Sequence, residues 1–170
     1  MIAAIVGDLG REGVERLVRS TASEQTIRAE RKLYYPYFWL QLRYAANTYL
    51  GRSAVRLSCF VDSRTRLGAT TDPFELEDVD ADERDIISPC MDEREAHRIA
   101  ERYTGYVLRN RRRALIAPTI EVLSCRIIHK PFWIVTCSRA QQSSLRVLVD
   151  GITGGFHLLS SLSSGDRETI

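Results

Sequence analysis

Two segments of the 170-residue chain follow the same order of features, and this similarity constrains the fold more than any other property of the sequence. In each segment a proline opens an apolar run, and a later strand-like stretch ends in Val-Asp. The first segment contains Pro36 and Asp62, and the second contains Pro131 and Asp150. The interval is 26 residues in the first and 19 in the second, and a longer hairpin near Asn47 accounts for the difference. Such self-similarity predicts one small unit that occurs twice.

The hydrophobic pattern predicts a helix before each of these segments. A first helix is expected over residues 10–20, where Val14, Leu17 and Val18 share one face. A second is expected over residues 93–112, where Asp92 and Glu95 have the spacing of a capping box. Strands are expected at residues 26–33, 37–44, 54–61, 119–129, 132–138 and 145–149. The prediction is therefore an α+β fold with two pseudo-repeats, each a helix followed by a three-stranded antiparallel sheet. The two units would either share one continuous sheet or pack face to face.

An acidic stretch separates the two predicted units. Residues 72–85 contain eight acids and one arginine, although the whole chain has a formal net charge of +2. With Pro73 and Pro89 and no sustained periodicity, residues 67–90 are predicted to form a surface connector. The expected organisation is a first repeat at 1–66, this connector, a second repeat at 91–158 and a polar tail at 159–170.

The apolar start of the chain, residues 1–6, is too short to span a membrane and lacks the pattern of a signal peptide. A cytoplasmic location without a membrane span is therefore expected. The four cysteines would be reduced in that compartment.

Each predicted unit ends in a turn motif with a clear physical role. Asp62 and Asp150 can accept hydrogen bonds from backbone N–H groups two or three residues further on. Thr65 and Thr153 can reinforce these turns, and Gly154 can adopt a positive φ. We interpret these five residues as turn-forming rather than catalytic or metal-binding.

The same motif resembles the end of PepSY-like domains, which close with a strand running into V-D-x-x-T-G. The second unit matches at Val149, Asp150, Thr153 and Gly154, whereas the first has Arg66 in place of the glycine. The resemblance implies a small α+β domain with an inhibitory or regulatory role. Domains of this family are often attached to proteases or membrane proteins outside the cytoplasm.

Residues with the spacing of a chemical site are not evident in the sequence. His97, His129 and His157 are not at metal-ligand spacing with other ligands, and the cysteines lack C-x-x-C spacing. Glycine-rich phosphate loops and nucleophile elbows are also missing. The sequence therefore predicts no catalytic residue, no metal and no cofactor.

Aromatic residues concentrated before and after Pro36 suggest a different role. Neighbouring residues of a strand point to opposite faces, so these rings cannot all enter one core. We therefore predict a partner-binding surface made of Tyr35, Tyr37 and Trp39, with Trp133 as its counterpart. The leading hypothesis is a non-catalytic interaction or regulatory module that binds a protein partner and also forms homo-oligomers.

Two alternatives remain open at this stage. Nucleic acid could bind through predicted phosphate contacts at the end of the second helix, namely Arg109, Arg111, Arg112 and Arg113. The chain could also be an enzyme with a site between the repeats, holding Asp62, Asp150 or a cysteine.

Overall fold

In the computed structural model, residues 1–21, 26–48, 51–111, 119–138 and 144–159 are described. Within these ranges the helices are α1 (Gly10–Thr21) and α2 (Glu93–Arg111), and residues Glu83–Asp85 form a 3₁₀ turn. The strands are β1 (Ile2–Ile5), β2 (Thr26–Thr48), β3 (Gly51–Asp62), β4 (Gly68–Thr70), β5 (Leu76–Val79), β6 (Thr119–Ser138), β7 (Leu145–Asp150) and β8 (Phe156–Leu159).

The strands of the described ranges form one eight-stranded mixed sheet, so the predicted pair of three-stranded repeats is wrong. The main path is β4-β3-β2-β6-β1-β5, and β7 and β8 extend the sheet from β6. The long strands β2 and β6 pair antiparallel from Thr26↔Ser138 to Ala45↔Thr119. The strand β1 joins β6 in parallel at Ala4↔His129. The two halves of the chain therefore share one sheet.

The sequence predicts separate strands on either side of each proline, and this prediction is wrong. Both Pro36 and Pro131 lie inside continuous strands. On the outer edge of β2, the carbonyl of Tyr34 accepts the N–H of Ile87. Residues two apart in a strand point their backbone groups to the same side, so the backbone nitrogen of Pro36 also faces this outer edge. The absent N–H of Pro36 therefore removes no bond between β2 and β6. Because β6 continues through Pro131, the two strands predicted at residues 119–129 and 132–138 are one strand.

Both helices cover the same face of the sheet. On β6, Cys125, Trp133 and Val135 are separated by even numbers of residues and so point to one face. Trp133 and Val135 pack in the cluster that includes Val14 of α1, and Cys125 borders the cluster that includes Ala96 of α2. Each helix thus has its own hydrophobic core on a shared sheet.

The two helices meet the sheet through different kinds of residue. In α1, Val14 and Val18 are buried, and complete burial of a valine contributes about 1.5–3 kcal/mol. In α2, Ala96 and Ala100 are fully buried, which brings the helix backbone close to the sheet. The predicted cap is present, because the side chain of Asp92 accepts the N–H of Glu95 at 2.7 Å.

The acidic connector contains more regular structure than the surface loop that the sequence predicts. It forms β4, which pairs with β3, and β5, which pairs antiparallel with β1 from Ile2↔Val79 to Ile5↔Leu76. Between these strands Phe74 packs against Trp39, on the face opposite the helices. The connector then returns to the outer edge of β2, where Asp85 accepts from Arg31 at 2.6 Å. The connector therefore crosses the face that the helices leave open.

Within the described ranges, neither helix has the length and apolar character needed to cross a membrane.

Candidate functional site

Six aromatic rings form an unbroken row on the face opposite the helices. Centroids of adjacent rings are 5.0–5.8 Å apart and interplanar angles run from 37° to 67°. In order of contact, this aromatic ladder consists of Phe132, Tyr35, Tyr37, Phe60, Phe74 and Trp39. Strand alternation creates it, since Phe38 and Leu40 point to the α2 core while Tyr37 and Trp39 point away. Three of the four residues predicted to bind a partner belong to this row.

Every ring of the aromatic ladder is half-buried. Each keeps part of its surface open although it packs against a neighbouring ring. The indole Nε1 of Trp39 is itself buried and has no hydrogen-bond partner among the described residues.

Beyond Trp39 the same face becomes polar and exposed. In register order, Trp39 lies opposite Phe60 and Arg126, and Arg43 lies opposite Arg56 and Glu121. All three arginines are exposed. Arg43 reaches Glu121 at 3.7 Å, whereas Arg56 and Arg126 form no ion pair with another described residue.

The Asp62 turn borders the aromatic ladder on one side. The Asp62 carboxylate accepts the N–H of Arg64 at 2.8 Å, the N–H of Thr65 at 2.9 Å and the hydroxyl of Tyr35 at 2.9 Å. Burial, reinforced by this hydrogen bond to a carboxylate, raises the pKa of Tyr35 above its usual value. Burial and the charges of Asp62 and Asp150 raise the pKa of Tyr37 to about 12. Both tyrosines are therefore neutral donors at physiological pH.

The Asp150 turn borders the aromatic ladder on its other side, and its aspartate also pairs with a lysine. Asp150 accepts from the N–H of Ile152 at 2.9 Å, from the N–H and hydroxyl of Thr153, and from the ammonium of Lys130. Burial alone would raise the pKa of Asp150, but these hydrogen bonds outweigh it and the pKa is lowered. Gly154 adopts φ +73°, and Arg66 adopts φ +61° at the corresponding position of the first turn.

Lys130 and Tyr35 are direct cross-strand partners, so the two aspartate turns anchor neighbouring side chains at the centre of the sheet. Because both carboxylates already accept several hydrogen bonds, the arrangement holds the turns and the central side chains in place. This geometry offers no free general base at either aspartate.

Trp133, the fourth predicted residue, lies on the opposite face. Its side chain is in the α1 core with 8% exposure, and its Nε1 donates to Asp8 at 3.0 Å. The cations of Arg11 and Lys32 lie over its ring. Trp133 therefore contributes no exposed surface to the aromatic ladder.

The arginines predicted to contact phosphate cannot be placed. Arg112 and Arg113, and the side chains of Arg109 and Arg111, lie outside the described residues.

Among the described residues, one group that the sequence did not predict could hold a metal ion. Ligand atoms of Glu93, His97 and Cys125 all lie within 4.8 Å of one another. Burial, with the charge of Glu93, raises the pKa of Cys125 to about 11, so the thiol is protonated without a metal. The i, i+4 spacing of Glu93 and His97 was visible in the sequence. The third member was not, because Cys125 arrives from β6.

In the part of the chain that the structure describes, the other buried thiols and the buried histidine belong to no such group. Burial raises the pKa values of Cys59, to about 11, and of Cys137. Burial lowers the pKa of His129 despite a hydrogen bond with the backbone of Ala3. These groups are uncharged and belong to the packed interior.

No family model matches the chain, and no curated protein or solved structure compared with it proved similar.

Proposed function

We propose that this chain is a non-catalytic interaction module that binds a partner protein through the aromatic ladder and the exposed arginines beside it. The observation that carries the proposal is the row of six mutually packed, half-exposed rings on the face opposite the helices. Protein interfaces favour aromatic residues and arginine at their centres.

The partner segment should combine an apolar or aromatic side chain with carboxylates. An apolar side chain fits against the half-buried rings. Carboxylates fit Arg56 and Arg126, which the structure leaves exposed on the same face. The V-D-x-x-T-G turn, which carries the resemblance to PepSY-like domains, agrees with a regulatory role.

A protein partner fits this face better than nucleic acid does. The rings contact each other at tilted or edge-on angles, for example 53° between Tyr35 and Tyr37, so they offer no flat platform for bases. Binding of nucleic acid through the arginine-rich end of α2 remains a separate prediction, because those side chains lie outside the described residues.

The enzyme alternative placed its site between two repeats. At that position β2 and β6 are paired directly, and Asp62 and Asp150 are engaged in turns.

We place the binding role in the cytoplasm, where the free cysteines would stay reduced.

The test compares partner capture by matched variants in extracts of the native host treated with nuclease. Trp39→Ala removes one end of the aromatic ladder, and Arg56→Glu reverses an exposed charge without touching a core. Tyr106→Ala is the control, since Tyr106 is 62% exposed on α2, on the opposite side of the sheet. We expect a defined protein that wild type and Tyr106→Ala retain and that both ladder-face variants lose.

Two results would contradict the proposal. One is equal recovery of the same proteins by all variants whose circular dichroism matches wild type. The other is loss of every captured protein on nuclease treatment, which would favour nucleic acid. Light scattering of the purified chain separately tests homo-oligomerisation, and Trp39→Ala should reduce it if the same face is used.

A further inference from the structure

The start of α2 brings three side chains of different metal-binding chemistry to one point. Glu93 is the first residue of α2, and His97 follows one turn later on the same side of the helix. Because Ala96 and Ala100 are fully buried, α2 lies close enough to the sheet for both side chains to approach Cys125 on β6. This cluster lies on the helix-covered face, opposite the aromatic ladder.

We propose that Glu93, His97 and Cys125 form a binding site for a zinc-type divalent ion. Their carboxylate oxygen, imidazole nitrogen and sulfur lie within 4.8 Å of one another. Zinc binds these three atom types at about 2.0–2.3 Å, so ligand atoms around one ion are closer to one another than 4.8 Å. The three ligand atoms need to approach one another by only about an ångström. The side chain of Glu93 is 63% exposed, which leaves it free to make that movement.

The imidazole of His97, whose side chain is 34% exposed, supplies a further observation. Its Nε2 is buried and has no hydrogen-bond partner among the described residues, although it lies 3.3 Å from the Glu93 carboxylate. The contact therefore has the distance of an ion pair without the directional geometry of a hydrogen bond. Buried polar atoms are normally satisfied by a partner. A metal ion between the imidazole, the carboxylate and the thiolate would supply that partner.

The donor set selects among metals. Sulfur and imidazole ligands favour zinc and its neighbours in the first transition row, whereas magnesium and calcium prefer oxygen ligands alone. Binding converts the Cys125 thiol into a thiolate and releases its proton to solvent. The ion would thus be bound by one sulfur, one nitrogen and one oxygen atom from the chain.

The fourth coordination position would face a cavity. A cavity of about 320 Å³ lies beside the cluster and is lined by both Glu93 and Cys125. Its other lining residues are Phe38, Met91, Asp92, Arg126 and Ile127. Structural zinc sites use four protein ligands, whereas three protein ligands with an open position are typical of sites that bind water or an exogenous ligand. The geometry therefore corresponds to an open site.

The test uses the full-length chain, stripped with a chelator and titrated with cobalt(II) as a spectroscopic substitute for zinc. We expect one ion per chain and a near-ultraviolet sulfur-to-cobalt charge-transfer band. Cys125→Ser should abolish that band, and His97→Gln and Glu93→Gln should each weaken zinc affinity by about tenfold or more. Glu93→Gln guards against misfolding, because the side chain is largely exposed.

Control variants remove a thiol and an imidazole elsewhere. Cys137→Ala, in the α1 core, and His157→Gln, on exposed β8, should leave the spectrum and the stoichiometry unchanged. A charge-transfer band that persists in folded Cys125→Ser would overturn the proposal. So would a wild-type chain that retains no cobalt or zinc after gel filtration.

Discussion

Replacing Asp150 with asparagine should destabilise the protein more than the same change at Asp62, because only Asp150 binds a cation. The side chains of Asp150 and Lys130 are 13% and 20% exposed. Asparagine can still accept the N–H groups of Ile152 and Thr153, but it loses the charge-assisted bond to Lys130. Hydrogen bonds to charged groups contribute about 1.5–3 kcal/mol, so we expect Asp150→Asn to cost about 2–3 kcal/mol.

The Asp62→Asn variant provides the scale for this effect. Within the described ranges Asp62 accepts only neutral donors, namely two backbone N–H groups and the Tyr35 hydroxyl, so its replacement should cost about 1 kcal/mol. For a chain of this length each kcal/mol lowers Tm by about 2–4 °C, which predicts a loss of about 4–12 °C for Asp150→Asn.

Denaturant titrations followed by circular dichroism measure these costs, and Lys130→Met with the double variant measures the coupling. The folded-state pKa of Asp150 is lowered, so its contribution is present above the usual value of 3.8 and is lost as the pH falls through the folded-state pKa. The gap between wild type and Asp150→Asn should therefore shrink in acid. Equal costs at Asp150 and Asp62, or additive effects of Asp150→Asn and Lys130→Met, would refute the reasoning.

Three further predictions test packing, titration and exposure. Gly105→Ala should stabilise α2 by about 0.5–1 kcal/mol, since its Cβ meets only Ile120 at 3.5 Å, whereas Gly68→Ala should destabilise because its Cβ would lie 2.9 Å from Tyr103. Because His129 is neutral in the folded state and protonates at its usual 6.5 when unfolded, stability should fall from pH 7 to 5, and His129→Leu should flatten that slope in urea titrations. Acrylamide should quench the fluorescence of half-buried Trp39 more strongly than that of Trp133, which is 8% exposed. The variants Trp133→Phe and Trp39→Phe each leave one tryptophan to be measured. Equal quenching in the two variants would contradict the assigned faces.

The helices were predictable because their signals are local. An apolar stripe and a capping aspartate fix α2, and the structure begins this helix at Glu93, as the spacing predicts. The same local reasoning failed at Pro36 and Pro131. Whether a proline breaks a strand depends on which edge its nitrogen faces, and that is decided by a partner strand far away in the sequence.

Short strands were missed for a related reason. The strands β1 and β5 have four residues each, too few to show alternation, and β5 carries acids that resemble a loop. Their pairing with each other makes them strands. The candidate metal cluster shows the same limit, because the helical spacing of Glu93 and His97 is local while the approach of Cys125 depends on the packing of α2 on β6.

The proposed partner-binding surface and the proposed metal site use side chains on opposite faces of the same strands, so each proposal can be tested separately. Leu40 lies opposite Cys125 in the pairing of β2 with β6. The preceding residue of β2, Trp39, lies opposite Arg126. Since successive residues of a strand alternate in direction, Leu40 and Cys125 face α2 while Trp39 belongs to the aromatic ladder. Trp39→Ala should therefore lose the partner and keep cobalt, whereas Cys125→Ser should keep the partner and lose cobalt. A variant that lost both functions while remaining folded would mean that the two faces communicate through β2 and β6, and the module would then be a metal-dependent one.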